Sequence, residues 1–184
     1  SALGIVAMIG SAILIPSDLQ QAKPAKISTQ LEVLTQPRLL LVYAITAIGY
    51  GGTFVAFTYL APILNQITGL DTNVIGLVML VYGISVAIGN IWGGKMADKM
   101  GPIKALTIIF IGLAAILLAF SVTAVNPLAA IVTILIWGAF AFGNVPGLQV
   151  YVVKLAEKYT PDAVDVASGL NIAAFNVGIA LGAW

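Results

Sequence analysis

Long apolar runs separated by short polar connections are the main pattern along this chain. Five of these runs, at residues 39–64, 74–93, 105–122, 128–150 and 164–184, approach the ~20 apolar residues that a helix needs to cross a bilayer. The first 15 residues are also apolar, but they are too few to cross alone. The pattern therefore predicts an all-α integral membrane protein, a helical bundle of five complete spans that follows the end of another span.

The polar connections divide the chain into three parts. Residues 1–15 correspond to the end of a transmembrane helix, residues 16–38 to a cytoplasmic central loop, and residues 39–184 to a transmembrane bundle. Both ends of the chain fall within apolar runs, so we interpret it as a fragment of a longer polypeptide.

A short helix is predicted within the central loop. Thr29 and Glu32 have the spacing of a capping box, in which two side chains bond the backbone at the start of a helix. Leu31 and Leu34 share one side of this segment, which favours a helix that lies on the membrane surface. A plain flexible linker is the alternative interpretation.

Composition supports the membrane assignment. The chain has 60% hydrophobic and 8% charged residues and a mean hydropathy of +1.07, whereas about 25% of the residues in soluble domains are charged. A net charge of +1 argues against a nucleic-acid partner. The chain has no Cys and no His, which excludes thiol catalysis, disulfides and most zinc sites, so we expect no catalytic residue, metal or cofactor.

The basic residues fall only in alternate connections. They are Lys23, Lys26 and Arg38 in the first connection, Lys95, Lys99 and Lys104 in the third, and Lys154 and Lys158 in the fifth. Basic connections of membrane proteins stay on the cytoplasmic side. The alternation therefore predicts that all eight basic residues face the cytoplasm.

Residues 94–104, Gly-Lys-Met-Ala-Asp-Lys-Met-Gly-Pro-Ile-Lys, form the densest cluster of charge and lie between two apolar runs. We predict a tight basic turn here. Gly94 would let two helix ends approach closely, the Asp98 carboxylate would meet a helix N-terminus or a basic partner, and Gly101 with Pro102 would separate two elements. The alternative is an ordinary basic hairpin.

Other local patterns predict helix boundaries and helix contacts. Gly143, Pro146 and Gly147 are expected to break the fourth complete span, and Thr160 is expected to cap the last span with Pro161 at its first position. Glycines four residues apart, which allow close contact between helices, are Gly89 with Gly93, Gly143 with Gly147, and Gly178 with Gly182.

The spacing Gly-x-x-x-Asp-Lys-x-Gly-x-x-Lys over residues 94–104 resembles the loop signature of the major facilitator superfamily of secondary transporters. Pro102 and Ile103 stand where stronger copies carry basic residues, which matches the weaker copy between the eighth and ninth helices. Residues 88–99, 137–138, 145–149 and 168–183 resemble arabinose-efflux-permease-like proteins of the drug:proton antiporter group.

This resemblance implies a twelve-helix fold of which the chain would be the C-terminal half, from the end of helix six through helix eleven. It implies a bacterial inner-membrane carrier that works by alternating access, with proton-coupled efflux of a sugar or small drug-like solute. Its partners would be that small-molecule substrate, the lipid bilayer and the N-terminal half of the same polypeptide.

The resemblance also implies a cytoplasmic gate at the signature. In one state Asp98 would hold that side closed through a helix dipole or Lys154. The expected gating residues are Asn90, Gly94, Asp98, Lys99 and Gly101.

Ionisable groups are nearly absent from the apolar runs. Apart from Asp165 near the start of the last run, they contain no Asp, Glu, Lys or Arg. Because a proton-coupled carrier normally needs an ionisable group within the membrane, we expect its carboxylate in the other half.

Three of the runs carry polar and aromatic residues at intervals of three and four, which places them on one helix face. These stripes are Tyr43, Thr46, Tyr50, Thr53 and Phe57, then Thr133, Trp137, Phe140 and Asn144, then Ser168, Asn171, Phe175 and Gly178. Such side chains near the middle of the membrane suit a neutral, partly apolar solute. The predicted substrate-binding residues are Tyr50, Thr53, Trp137, Phe140, Asn144, Asn171 and Phe175.

Each of these residues has an alternative role in hydrogen bonds that hold helices together. The run at residues 105–122 has no stripe, so we expect it to face lipid, including Ile109. A membrane scaffold or sensor subunit without transport activity is the alternative function, and it would need neither stripes nor signature. A membrane-embedded enzyme is disfavoured by the lack of reactive residues within the runs.

Overall fold

The computed structural model describes residues 2–14 and 27–184, and every regular element within those ranges is helical. The helices are α1 (Ala2–Leu14), α2 (Ile27–Thr35), α3 (Pro37–Thr58), α4 (Leu60–Gln66), α5 (Thr72–Met100), α6 (Pro102–Thr123), α7 (Pro127–Tyr159) and α8 (Val164–Ala183), with a 3₁₀ turn at Pro161–Ala163. Lys23, Lys26 and the rest of residues 15–26 lie outside the described residues.

Five segments are long and apolar enough to cross a membrane, which confirms the all-α membrane fold. They are Pro37–Gln66, Thr72–Met100, Pro102–Thr123, Pro127–Tyr159 and Pro161–Ala183. Four of the five begin with proline, whose missing N–H would have no partner at that position of a helix in any case.

The predicted turn at residues 94–104 is wrong, because α5 continues through the signature to Met100. Only Gly101 separates α5 from α6, and its φ of +83° is a conformation that favours glycine. Charge alone does not end a helix. The exposed charged side chains of Lys95, Asp98 and Lys99 lie on its outer surface, while Ala97 is buried.

The predicted break in the fourth complete span is also wrong, because α7 is continuous from Pro127 to Tyr159 with Pro146 inside it. Pro146 removes one backbone donor, but the helix around it is held by neighbours on two sides. Gly143 lies against Gly89 and Trp92 of α5, and Gly147 lies against Leu106 of α6. Residues 151–159, expected to be a polar connection, form the last turns of α7.

Two predicted caps differ from the structure. The Thr160 hydroxyl donates backward to the Ala156 carbonyl oxygen at 3.4 Å and so does not cap the next element, although Pro161 does occupy the first position of the 3₁₀ turn. Helix α2 is the short helix expected in the central loop, but it begins at Ile27, two residues before Thr29. The capping-box spacing therefore does not mark its start.

Helix α7 is the centre of the bundle, since it contacts α3, α5, α6 and α8. The two most extensive helix contacts are those of α5 with α7 and of α3 with α8. Both are close glycine contacts. A Cβ on Gly89 or Gly93 would overlap the α7 backbone at Ala139 or Gly143.

The α3–α8 contact has the same construction. A Cβ on Gly178 or Gly182 would overlap the α3 backbone at Ala47 or Gly51. These contacts confirm the prediction of glycine packing for the pairs on α5 and α8. In each contact residue numbers rise together on both helices, so the paired helices run parallel.

This parallel pairing puts the first residues of α3, α6 and α8 and the last residues of α5 and α7 at one end of the bundle. We call it the basic end, because the described Lys and Arg residues all lie there. They are Arg38, Lys95, Lys99, Lys104, Lys154 and Lys158. The structure thus agrees with the sequence in placing these residues on one side.

Helix α6 lies at the outside of the bundle, but only one of its faces is exposed. Ile111 and Leu118 are 66% and 73% exposed, whereas Ile109 is fully buried. The expectation that Ile109 faces lipid is therefore wrong. The apolar run alone could not reveal this, because every position in it is compatible with either lipid or a neighbouring helix.

Candidate functional site

A series of aromatic rings, here named the aromatic run, connects five of the helices, and its members are Tyr50, Phe54, Phe57, Tyr82, Phe120, Trp137, Phe142 and Phe175. Tyr50 of α3 contacts Phe175 of α8 with ring centroids 4.3 Å apart, and Phe142 of α7 at 6.0 Å. Along α3, Phe54 lies 6.4 Å from Tyr50 and 5.6 Å from Phe57. Two predicted substrate-binding residues, Tyr50 and Phe175, are therefore in direct contact.

The aromatic run continues from Phe57 into α5 and α7. Phe57 lies 5.4 Å from Tyr82 and 6.4 Å from Trp137, and Tyr82 and Trp137 are 5.7 Å apart. Trp137 also reaches Phe120 of α6 at 6.1 Å. Edge and tilted contacts of this kind stabilise ring pairs by about 0.5–1.5 kcal/mol beyond burial.

Several polar atoms in or beside the aromatic run are buried without a hydrogen-bond partner in the described part of the chain. They are Tyr50 Oη, Tyr82 Oη, Trp137 Nε1 and Asn144 Oδ1. Their residues are at most 5% exposed. An unpaired buried polar group costs about 1–3 kcal/mol, so such a concentration of them marks a candidate binding site.

Asn171 lies in a different setting, a chain of hydrogen bonds across three helices. The Thr46 hydroxyl of α3 donates to Asn171 Oδ1 at 2.8 Å, and Asn171 Nδ2 donates to Gln149 Oε1 of α7 at 3.0 Å. Gln149 Nε2 in turn donates to the Ser168 hydroxyl of α8. Both polar atoms of Asn171 thus bond neighbouring helices. This matches the alternative role considered from the sequence, in which such residues form hydrogen bonds that hold helices together.

The two remaining predicted substrate-binding residues are Thr53 and Phe140. Thr53 bonds the backbone of its own helix, and Phe140 packs against α5 and α6. Thr53 is buried and its hydroxyl donates to the Gly49 carbonyl oxygen at 2.9 Å within α3. Phe140 is half-buried, with its ring 5.0 Å from Trp92 of α5 and packed over Gly112 of α6.

The expected gating residues lie along the last three turns of α5 and at its end. Asn90 is half-buried and donates to the Val86 carbonyl oxygen at 3.1 Å in its own helix. Gly94 faces Pro146 of α7. Asp98 and Lys99 are exposed, and within the described ranges Asp98 forms no ion pair or hydrogen bond, with Lys154 or with any other residue.

Sequence reasoning missed Tyr82 and Gln149. Tyr82 is the only tyrosine in a run of otherwise mostly aliphatic residues, and Gln149 is a side-chain amide one residue before the end of its run. Both could have been noticed as polar groups within apolar runs, but neither continued a stripe.

The described residues contain no group of three acidic, His or Cys side chains that could hold a metal ion.

Comparison with known proteins identifies the family. The family model of the Major Facilitator Superfamily matches residues 1–183. The chain belongs to the major facilitator superfamily. That family consists of multi-pass membrane transporters, and the five candidate spans of this chain agree with it.

Bacterial relatives are similar to the whole chain. It is 51% identical to the MFS-type transporter YtbD of Bacillus subtilis over 183 residues, which are 100% of the chain and 46% of the relative. It is 33% identical to the inner membrane transport protein YdhP of Escherichia coli K12, over 98% of the chain and 45% of the relative. It is 34% identical to the MFS-type transporter YfhI of Bacillus subtilis, over 100% of the chain and 45% of the relative.

The chain thus spans about half the length of the curated relatives that it matches. No solved structure matches it.

Proposed function

We propose that the chain is the C-terminal half of a twelve-helix secondary transporter that moves a small, neutral or weakly charged solute by alternating access. In this assignment residues 1–15 end helix six, residues 16–38 form the central loop, and residues 39–184 supply helices seven to eleven. The supporting observations are the five spans and the 45–46% of each relative that the chain covers. Two halves would then rock about a site between them.

The observation that carries this proposal is the set of unpaired polar atoms at the aromatic run. A solute with hydrogen-bonding groups would satisfy Tyr50 Oη, Trp137 Nε1 and Asn144 Oδ1, which otherwise lack partners among the described residues. Aromatic faces would contact its apolar parts. The proposed substrate-binding residues are Tyr50, Thr53, Trp137, Phe140, Asn144, Asn171 and Phe175.

Solute access would require helix movement, because Tyr50, Trp137, Asn144 and Asn171 are at most 2% exposed. The two glycine-packed pairs, α5 with α7 and α3 with α8, are suited to move as units. Contacts between the pairs are less extensive, and the Gln149–Asn171 bond is one of them. Opening between the pairs would expose the aromatic run.

The gate would operate at the basic end. Asp98 is exposed on the last turn of α5, so its carboxylate is free to bond a helix N-terminus, Lys154 or the other half in a different state. Asn90, Gly94, Lys99 and Gly101 would position that turn. A few kcal/mol of differential contact is enough to bias such a two-state switch.

We further propose proton-coupled efflux of a sugar or small drug-like solute across the bacterial inner membrane. The resemblance to arabinose-efflux-permease-like antiporters supports the direction and the solute class. The Escherichia coli relative YdhP is an inner membrane transport protein, which supports the assignment to that membrane. Because Asp165, near the start of the last run, is the only Asp, Glu, Lys or Arg in the apolar runs, the coupling carboxylate would belong to the N-terminal half.

Substitution at the aromatic run tests the proposal. Full-length transporter with Trp137→Ala or Asn144→Ala should reach the membrane but show a changed preference within a panel of arabinose, xylose, chloramphenicol and ethidium in efflux assays. Leu118→Ala, on the exposed face of α6, is the matched control and should leave preference unchanged. Unchanged preference in both site variants would contradict the assignment. No efflux of any solute in cells that carry the wild-type protein would favour the scaffold function.

A further inference from the structure

Two cations share one tyrosine ring at the basic end. The Arg38 guanidinium carbon lies 4.9 Å from the centroid of the Tyr159 ring, and Lys158 Nζ lies 5.4 Å from the same centroid. Arg38 is the second residue of α3 and Tyr159 is the last residue of α7. The ring therefore joins the start of one span to the end of another, and a cation from each of these two spans lies against it.

No carboxylate neutralises these charges among the residues that the structure describes. Apart from their contact with the ring, the Arg38 and Lys158 side chains form no ion pair or hydrogen bond with a described residue. The acidic residues nearest in sequence, Glu32, Glu157 and Asp162, are exposed and bond neither cation. Each cation is attracted to the ring face, but the two repel each other. An anion that contacts both would remove that repulsion.

Helix α2 borders this cluster. Val33 is fully buried, and α2 contacts both α3 and the turn Pro161–Ala163, which begins two residues after Tyr159. On the other side of α2, Leu31 and Leu34 are 55% and 47% exposed. The helix is thus anchored by one apolar side chain and presents two others away from the protein.

Apolar surface begins again directly after Arg38. Leu40 and Leu41, within the first turn and a half of α3, are exposed. Arg38 is therefore placed where the charged end of the bundle meets the apolar surface that lipid chains would cover. A group that fits here has an anionic head at the level of Arg38 and an apolar tail beside the leucines.

We propose that Arg38 and Lys158, held on Tyr159, bind the phosphate group of an anionic phospholipid in the leaflet at the basic end. The guanidinium can donate two parallel hydrogen bonds to a phosphate, and the lysine ammonium adds a point charge. Basic pockets of this kind between spans on the cytoplasmic side suit anionic head groups. The acyl chains would lie along the exposed leucines of α2 and α3.

The test uses purified full-length transporter in a zwitterionic detergent, with dioleoylphosphatidylglycerol as the probe and native mass spectrometry as the readout. Wild-type protein should retain this lipid in preference to dioleoylphosphatidylcholine. Arg38→Gln and Lys158→Gln should each weaken phosphatidylglycerol binding about fivefold, and the double variant about 30-fold. Both side chains are exposed, so these variants should remain monodisperse.

Matched variants separate a built site from general attraction to the basic end. Lys95→Gln with Lys104→Gln removes two charges from the same end, away from Tyr159, and should keep wild-type affinity. Tyr159→Phe retains the ring and should also keep it, whereas Tyr159→Leu should weaken binding. The proposal is overturned by equal losses in the Lys95/Lys104 and Arg38/Lys158 double variants, or by no loss in the latter. Displacement of the lipid by excess inorganic phosphate would instead indicate a site for free anions and would also overturn it.

Discussion

Gly93 packs so closely on Gly143 that a Cβ at Gly93 would overlap the Gly143 carbonyl oxygen. This contact lies at the crossing of α5 and α7, the most extensive helix contact in the bundle. We therefore expect Gly93→Ala to force the two helices apart, at a cost of about 1–3 kcal/mol or more. The measurement is the melting temperature of the purified full-length protein, which should fall.

Gly83 is a matched control on the same helix. A Cβ there would meet no atom within 4 Å. Gly83→Ala should leave stability unchanged or raise it by up to about 1 kcal/mol, because alanine is the better helix former. Equal melting temperatures for Gly93→Ala and Gly83→Ala would show that the helix crossing is looser than described here.

Gln149 connects the two helix pairs through its bonds to Asn171 and Ser168. Gln149→Leu has a similar volume but leaves Asn171 Nδ2 without its partner. Interhelical hydrogen bonds in membranes contribute about 0.6–2 kcal/mol, so the free energy of unfolding should fall by roughly that amount. Denaturation in a graded detergent mixture, followed by circular dichroism, measures it.

Asn176 supplies the control for this experiment. It is an exposed amide on α8 that donates to the Ile172 carbonyl oxygen of its own helix. Asn176→Leu should therefore change stability much less than Gln149→Leu. A loss of similar size in both variants would mean that the bond between helices is not the cause.

The number of spans could be predicted from the sequence, but their ends could not. Apolar runs locate the part of a helix that lies within the membrane, whereas α5 and α7 continue beyond it through residues with good helix propensity, such as Lys, Met and Ala. Pro102, Pro161 and Gly101 were better guides to the boundaries, because their effect on the backbone is local.

The candidate site was predictable in its residue types and not in its contacts. Stripe spacing identified Tyr50 and Trp137, both of which are buried. It did not identify Tyr82 or Gln149. Tyr82 belongs to the candidate site through its ring contact with Phe57 of α3, and Gln149 through its hydrogen bond to Asn171 of α8. Which helices are neighbours follows from the glycine contacts of the whole bundle, and a single stripe carries no information about them.

Membrane orientation gives another prediction. Lys95 lies at the basic end, near the end of α5, and Asn126 lies at the opposite end, just before α7. In an otherwise cysteine-free full-length protein, Asn126→Cys should react with an impermeant maleimide in intact cells. Lys95→Cys should react only in inside-out vesicles, since basic connections remain cytoplasmic. Labelling of the Lys95→Cys variant in intact cells would contradict this orientation.

The gate proposal predicts that the charge of Asp98 matters to transport. Asp98→Asn should reduce the transport rate of full-length protein while its amount in the membrane stays normal, because Asp98 is exposed and its loss leaves no buried group unpaired. Asp71→Asn, an exposed carboxylate at the opposite end, should transport normally. A wild-type rate for Asp98→Asn would leave Asp98 as a solvated residue of α5.

The unpaired hydroxyl of Tyr82 gives the most direct test of the candidate site. Tyr82→Phe removes a buried polar atom that lacks a partner among the described residues, so solute-free protein should become more stable by about 1–3 kcal/mol. Tyr43→Phe is the matched control, since the Tyr43 hydroxyl donates to the Ala167 carbonyl oxygen at 3.1 Å, and its loss should reduce stability by about 0.5–1.5 kcal/mol. Melting temperatures without solute measure both effects. A destabilised Tyr82→Phe variant would show that this hydroxyl already has a partner inside the protein, so that it no longer counts among the unpaired atoms that mark the candidate site.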